Sequence, residues 1–164
     1  MKIDTDVHPQ QGQALKLLND QRTMYVLFGG GAGGGKSWLG CLWLIINALQ
    51  YPETRWFIGR QELKAILNST LLTFYIVASH LGVADKFKFN AQYHFIRFGN
   101  GSRIDLLEMR YYPTDPFYER FGSFEYTGGF IEEGGETRFD AFDVLKSRIG
   151  RQANDRYNLL GKML

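Results

Sequence analysis

"LFGGGAGGGKSWLG", Leu27–Gly40, sets six glycines ahead of a lysine and a serine. Glycine in an element interior costs roughly 0.5–1 kcal/mol relative to alanine. Such a run is therefore either a slack linker or a loop whose backbone must come close to something. The flanks decide between the two. Upstream stands "MYVLF" (Met24–Phe28), a short apolar run rich in strand formers, and downstream "WLGCLWLIINALQ", an apolar stretch of helical length. A glycine turn between a buried strand and a buried helix is not a linker.

The stretch matches G-x-x-x-x-G-K-[ST] without departure. Gly30 opens it, Gly31, Ala32, Gly33 and Gly34 fill the free positions, and Gly35, Lys36 and Ser37 close it. Successive inward N–H groups make an anion-binding nest, and glycine lets the chain curl tightly enough to form one. The helix beginning near Lys36 would point its positive dipole end at bound phosphates. Lys36 is then expected to bridge the β- and γ-phosphates of a nucleotide, and the Ser37 hydroxyl to ligate Mg²⁺. A chance match in a glycine-rich chain is the competing reading; the strand before and the helix after argue against it.

Such a cradle needs an acid at the carboxyl end of another parallel strand. "YTGGFIEEGGE" provides a short buried run, Gly128–Ile131, followed by Glu132 and Glu133. Ligand-binding groups in open α/β sheets belong at that edge. Glu132 is assigned to the metal, through water, and Glu133 to the attacking water as its orienting or catalytic base. The more usual residue at the first position is Asp. Two solvated glutamates at a strand end are the plainer alternative.

The rest of the chain frames this pair. With 164 residues, 45% apolar and 15% aromatic, it is long and apolar enough for one domain with a single core. The net charge of +2 neither demands nor excludes nucleic acid. Cys41 is the only cysteine, so no intrachain disulfide forms, and it reads as a small buried hydrophobe. The uncharged stretch from Ser37 to Gln50 is shorter than the about 20 apolar residues a membrane span needs. A helix is expected from Pro9 to about Leu18, a strand at Met24–Phe28, a helix from Lys36 to about Leu49 and a strand at Arg55–Gly59. Leu63, Ile66, Leu67, Leu71, Phe74, Ala78 and Leu81 follow helical spacing, with Gly82 as the stop. From Tyr93 to Met109 the pattern is a hairpin, with Asn100-Gly101 as a type I′ turn. Thr127–Glu133 is the third buried strand. Phe142, Leu145 and Ile149 mark a helix, and "NLLGKML" begins another strand. Strands alternating with helices predict an α/β fold, a mostly parallel sheet with helices on both faces, carrying the hairpin as an antiparallel insertion.

In order, "HPQQGQAL", "GGGAGGGKS", "FIGRQELKAILNST", "FGNGSRI", "YTGGFIEEGGET" and "AFDVLKSRIGR" resemble the ATPase domain of tailed-phage large terminase subunits, across nearly the whole chain. The resemblance implies a P-loop NTPase of the additional-strand catalytic-glutamate type that hydrolyses Mg·ATP to package viral DNA into the prohead. It implies double-stranded DNA, the portal and the small terminase subunit as partners, a homo-oligomeric ring, the host cytoplasm as location, and no membrane. The family's adenine contact falls on Gln11, with Gln10 as the lesser candidate; a solvent-facing glutamine is the alternative. An arginine stabilising the transferring phosphoryl group, from the same or a neighbouring subunit, is absent from the glycine loop. Arg60, Arg148 and Arg151 are the candidates, against the plainer role of surface or ion-paired arginines. The family continues with a γ-phosphate-sensing coupling motif, on the strand begun by "GKML", and with a nuclease domain. Neither lies within these residues, which read as an amino-terminal fragment with no nuclease role.

Other functions remain as alternatives: an ATP-binding fragment without turnover, or another nucleic-acid ATPase such as a helicase core. "EEGG" in place of D-E-x-[DH] counts against the helicase. The absence of an arginine-rich lid counts against a small-molecule kinase. "MRYYPTDPFYERFGSFEY" (Met109–Tyr126) could be a nucleic-acid stacking surface, but its interleaved acids favour a loop packed on the core, with a subunit contact as one use for it.

Overall fold

The computed structural model describes residues 9–29 and 35–164. Six strands form one sheet: β1 (Arg55–Arg60), β2 (Phe87–Asn90), β3 (Phe95–Phe98), β4 (Arg103–Glu108), β5 (Gly128–Ile131) and β6 (Lys162–Met163), in the order β2-β3-β4-β1-β5-β6. β4, β1, β5 and β6 run parallel, while β2 and β3 add antiparallel pairings at one side. Side chains alternate across a strand, and β1 divides accordingly. Trp56 and Ile58 enter one core with residues of α1 (Pro9–Asn19), α2 (Lys36–Gln50) and α4 (Leu71–His80). Phe57 enters a second core with Ala141 and Leu145 of α5 (Phe139–Lys146). The expected doubly covered parallel sheet is what forms.

α2 is apolar nearly all round because it is packed nearly all round: nine of its 15 residues are buried. Trp43 meets Trp56 of β1 edge to face, centroids 5.4 Å apart. Full burial of a large apolar side chain contributes about 1.5–3 kcal/mol, so this helix anchors the glycine loop's downstream end. The periodic segment after β1 is helical as expected and stops at Gly82 (φ 68°). It is not uniform, however. α3 (Leu63–Ala65) passes into a π-helical turn, Ile66–Thr70, before α4. Such turns appear mostly inside helices and often at functional sites.

Two expectations are corrected. Met24–Phe28 is not a regular strand; only Tyr25 bridges, in parallel, to Met163, with Val26 N–H donating to Met163 O at 2.9 Å and Met163 N–H to Met24 O at 2.9 Å. Its partner β6 offers two residues, so the ladder ends after one rung. β6 nonetheless lies between this segment and β5, the position of the additional strand. The hairpin turn is not type I′. Gly101 alone has positive φ (90°), Gly101 N–H donates to Phe98 O and Phe98 N–H to Ser102 O, as in a three-residue loop with a left-handed glycine. Asn100 instead donates its side-chain amide to Ala48 O (2.8 Å) and Leu49 O (3.1 Å), satisfying the open carbonyl end of α2. The antiparallel hairpin forms as expected from β3 and β4; β4 also pairs in parallel with β1 along its full length, and an unexpected strand, β2, extends the antiparallel side. A short helix, α6 (Asn154–Tyr157), was also not expected.

The aromatic segment Met109–Tyr126 packs on the second core through Met109, Tyr118, Phe121 and Tyr126, all buried. It covers the second core, as the favoured reading expects. No helix among the described residues is long and apolar enough to cross a membrane.

Candidate functional site

Three elements converge on Glu132, which follows β5 and is 4% exposed. Ser37, in the first turn of α2, donates its hydroxyl to Oε1. Thr70, at the end of the π-helical turn, donates its hydroxyl to Oε2. Arg60, the last residue of β1, places Nη1 3.3 Å from the same oxygen. The backbone holds the arrangement from below, Glu132 N–H donating to Gly59 O at 2.8 Å. A buried carboxylate is tolerated only when paired and hydrogen-bonded, and this one has two hydroxyls and a guanidinium. The widened turn is what delivers Thr70: its backbone carbonyl faces Cys41 Sγ (3.8 Å) while its hydroxyl reaches the acid. Burial pushes the Cys41 thiol up, and the Glu132 charge pushes it further, so Cys41 is an inert core residue.

The neighbouring acid points elsewhere. Glu133 adopts a left-handed conformation (φ 50°), which ends β5 and starts the turn Gly134–Glu136. Few non-glycine residues take this conformation, and it is worth noting where it falls. It lets adjacent carboxylates face different partners: Glu132 the Ser37 hydroxyl, Glu133 the Lys36 ammonium, with Oε1 3.6 Å from Nζ. A cavity of about 640 Å³ opens beside them, lined among others by Lys36, Glu132, Glu133, Arg138 and Phe28. Polar atoms remain to be satisfied at the end of β1: Arg60 Nε and Gln61 Oε1 are buried without a hydrogen-bond partner among the described residues.

Gly30, Gly31, Ala32, Gly33 and Gly34 lie outside the described residues. Gly35, just before α2, has φ 70°, and a Cβ there would stand 2.0 Å from Gln11 Nε2. The positive φ is what favours glycine at Gly35; a Cβ there would also push the Gln11 amide away. Gln11 is buried and donates Nε2 to Gly35 O at 3.4 Å, so α1 is tied to the downstream end of the glycine loop. It is not the solvent-facing glutamine of the plainer reading. Gln10 is exposed.

Of the three candidate arginines, only Arg60 joins this group. Arg148 and Arg151 lie by the amino end of β5, where Tyr126 N–H donates to Arg148 O (2.8 Å) and Arg151 N–H to Tyr126 O (3.0 Å). Glu132 follows the opposite end of that strand. Within one chain, therefore, Arg148 and Arg151 are not brought to the carboxylates. Two site residues escaped sequence reasoning. Thr70 sits in "ILNST" with nothing in its spacing to mark it, since the π-turn that turns it inward is a tertiary outcome. Arg138 lines the cavity and lies over Tyr111, 4.3 Å from ring centroid; its place two residues after Glu136 was a weak hint.

Chemically, the group offers hard oxygen donors beside a helix amino end, with a lysine and a second carboxylate at its margin. Among the described residues no cluster of three or more His, Cys, Asp or Glu side chains could cage a metal. Mg²⁺ does not need one, since it is usually held by one or two protein oxygens, water and substrate phosphates. The Ser37 and Glu132 oxygens fit such an ion.

A family model described as phage terminase large subunit matches residues 21–115. No curated protein sequence matches the chain. Among solved structures, the chain is similar to the large terminase from the thermophilic bacteriophage D6E in complex with ADP (10% identity, TM-score 0.70, covering 94% of this chain and 37% of that one). It is also similar to that terminase in complex with ATP-gamma-S (12% identity, TM-score 0.63, 94% and 36% covered). The Thermus phage P74-26 large terminase ATPase domain matches over 99% of this chain and 69% of that one, with 9% identity and a TM-score of 0.60. At these identities the likeness is one of fold. The chain spans little over a third of the D6E terminase's length.

Proposed function

The chain belongs to the phage terminase large subunit family, and we propose that it is the ATP-binding and ATP-hydrolysing motor domain that drives viral DNA into the prohead. The observation that carries the proposal is the meeting of Ser37, from the glycine-loop side, with Glu132, from the far strand. Two motifs separated by 94 intervening residues share one hydrogen bond, as a nucleotide-and-metal site requires. Relatives of like fold bound to ADP and ATP-gamma-S support the choice of ligand.

In this reading the glycine loop and the first turn of α2 surround the phosphates with backbone N–H groups. Lys36 neutralises charge on the β- and γ-phosphates. Ser37 and Glu132 would hold Mg²⁺, Glu132 through water, and the ion would supply further neutralisation of phosphate charge. Thr70 and Arg60 keep the Glu132 carboxylate aimed at Ser37. Glu133 accepts a proton from the attacking water, its left-handed backbone keeping it apart from Glu132. Arg60, beside Glu132, acts in cis; Arg148 and Arg151 could act only on a neighbouring subunit's site. Gln11, tied to Gly35, couples α1 to the loop and is the adenine contact. The motor acts on double-stranded DNA in the host cytoplasm, as a homo-oligomeric ring with the portal and the small terminase subunit.

DNA-stimulated phosphate release tests the reading. Lys36→Ala should abolish turnover, and Glu133→Gln should abolish turnover while ATP still binds. Equal turnover in Lys36→Ala and the unmodified protein would overturn it.

A further inference from the structure

Strand register aligns four cations on one face of the sheet. Lys88 of β2 stands opposite Arg97 of β3, Arg97 opposite Arg103 of β4, and Arg103 opposite Arg55 of β1. Directly opposed residues share a face, and strands lie about 4.8 Å apart, so the row covers about 14 Å. The other face of the same strands is core, with Phe87, Ile96, Phe98 and Ile104 buried. Lys88 and Arg97 are exposed, while the Arg55 and Arg103 side chains are 30% exposed. One carboxylate serves the row. Asp105 takes Nε of both Arg55 (2.8 Å) and Arg103. Among the described residues no acid lies within ion-pair distance of Lys88 or Arg97. Aromatic rings stiffen the inner half, with Arg103 3.9 Å from the Phe95 centroid and Arg55 5.2 Å from that of Tyr126.

Folding alone does not call for this row. Like charges directly opposite destabilise a sheet, and a net charge of +2 is too small for the row to reflect composition. We infer that this face of β2, β3, β4 and β1 is a docking surface for the phosphate backbone of double-stranded DNA, which rests on the packaging reading above. Along one strand of B-DNA a phosphate recurs about every 3.4 Å of axis, so a linear row of about 14 Å meets several phosphates at once. Cations without base-reading amides among them grip any sequence, as a translocating motor needs. The row includes the amino ends of β1 and β4, away from the carboxyl edge that holds Glu132. Strand β1, about 16 Å long, separates Arg55 from Arg60, so the duplex and the nucleotide do not compete for space.

The test is fluorescence anisotropy of a labelled 30-base-pair duplex with this chain, without nucleotide, across a salt series. Affinity should fall with salt and be alike for two unrelated sequences. Each lost phosphate contact lowers the slope of log K against log salt by about 0.9. Lys88→Gln/Arg97→Gln should thus lower it by close to two and weaken low-salt binding about tenfold. Arg97→Gln alone should lower the slope by about one, whereas Lys146→Gln on α5, with the same charge change, should leave it unaltered. Duplex binding with unaltered slope in the row variants would overturn this surface while leaving the packaging reading in place. No duplex binding by the unmodified chain at low salt would overturn both.

Discussion

Glu132 and Asp105 are both 4% exposed, and both carry three polar partners, yet they do different work. Asp105 sits mid-strand on β4 and accepts from Arg55 and Arg103, with the Tyr126 hydroxyl at 3.1 Å. Its partners lie on its own strand, on the adjacent β1 and just before β5, so its bonds are sheet bonds. Glu132 stands past a strand's carboxyl end. Two of its partners are hydroxyls borne by helices, Ser37 and Thr70, and one is a guanidinium. Hydroxyls are neutral donors that a hydrated cation can replace; paired guanidiniums are not. Asp105 faces two fixed cations, whereas Glu132 faces one, Arg60, beside two exchangeable hydroxyls, and the metal role proposed for it rests on that difference.

Substitutions at four residues would sharpen or break this contrast. Glu132→Gln should cost turnover about a hundredfold or more, through loss of metal-held charge. Its denaturant unfolding free energy should move by only about 1 kcal/mol, because the amide oxygen can still accept from one of the Ser37 and Thr70 hydroxyls while the other hydroxyl turns to accept from the amide N–H. Asp105→Asn should do the reverse. With two guanidiniums facing each other around a neutral amide, urea unfolding should show a loss of about 3 kcal/mol, with nucleotide affinity intact in the folded fraction. If the two variants lose stability equally, the contrast fails.

Thr70→Val should raise the half-saturating Mg²⁺ concentration for nucleotide binding about tenfold, and Thr70→Ser should restore it. A merely structural Thr70 would instead lower the unfolding midpoint without moving the Mg²⁺ dependence. The smallest effect belongs to a half-buried reference, Asp20. The Thr23 hydroxyl and the backbone N–H groups of Thr23 and Arg22 hold its carboxyl well below the ordinary 3.8, with Lys162 assisting. A depressed folded value stabilises above the unfolded value and is lost on acidification. The difference in melting temperature between the unmodified chain and Asp20→Asn should therefore shrink from about pH 5 to about pH 2. A difference independent of pH would remove the carboxylate from that account.

How much could be read beforehand depended on the range of the signal. The helix from Lys36, the strand at Arg55 and the acids after Ile131 were legible because each is a local pattern: apolar run, capping glycine, strand-end charge. The turn at Asn100 was misjudged because its amide is used by the distant end of α2, and that demand outweighed the local preference for positive φ. β2 was missed because Phe87–Asn90 is short and covered on one face only. Arg60 after the second strand and Arg148 and Arg151 after the acids were all open as candidates in sequence; the sheet separates them by putting Arg60 at its carboxyl edge and the others, past the end of α5, near the start of β5.

By itself, then, the order of residues determined an α/β chain with a phosphate-cradle motif and a later pair of carboxylates, since backbone geometry and apolar periodicity act over a few residues. Tertiary structure alone decided that Glu132 meets Ser37 while Glu133 meets Lys36, that a π-turn brings Thr70 to the same acid, and that four cations from four strands share one line. Those are matters of register and crossing, set when whole elements bury their apolar faces together, and no local spacing encodes them.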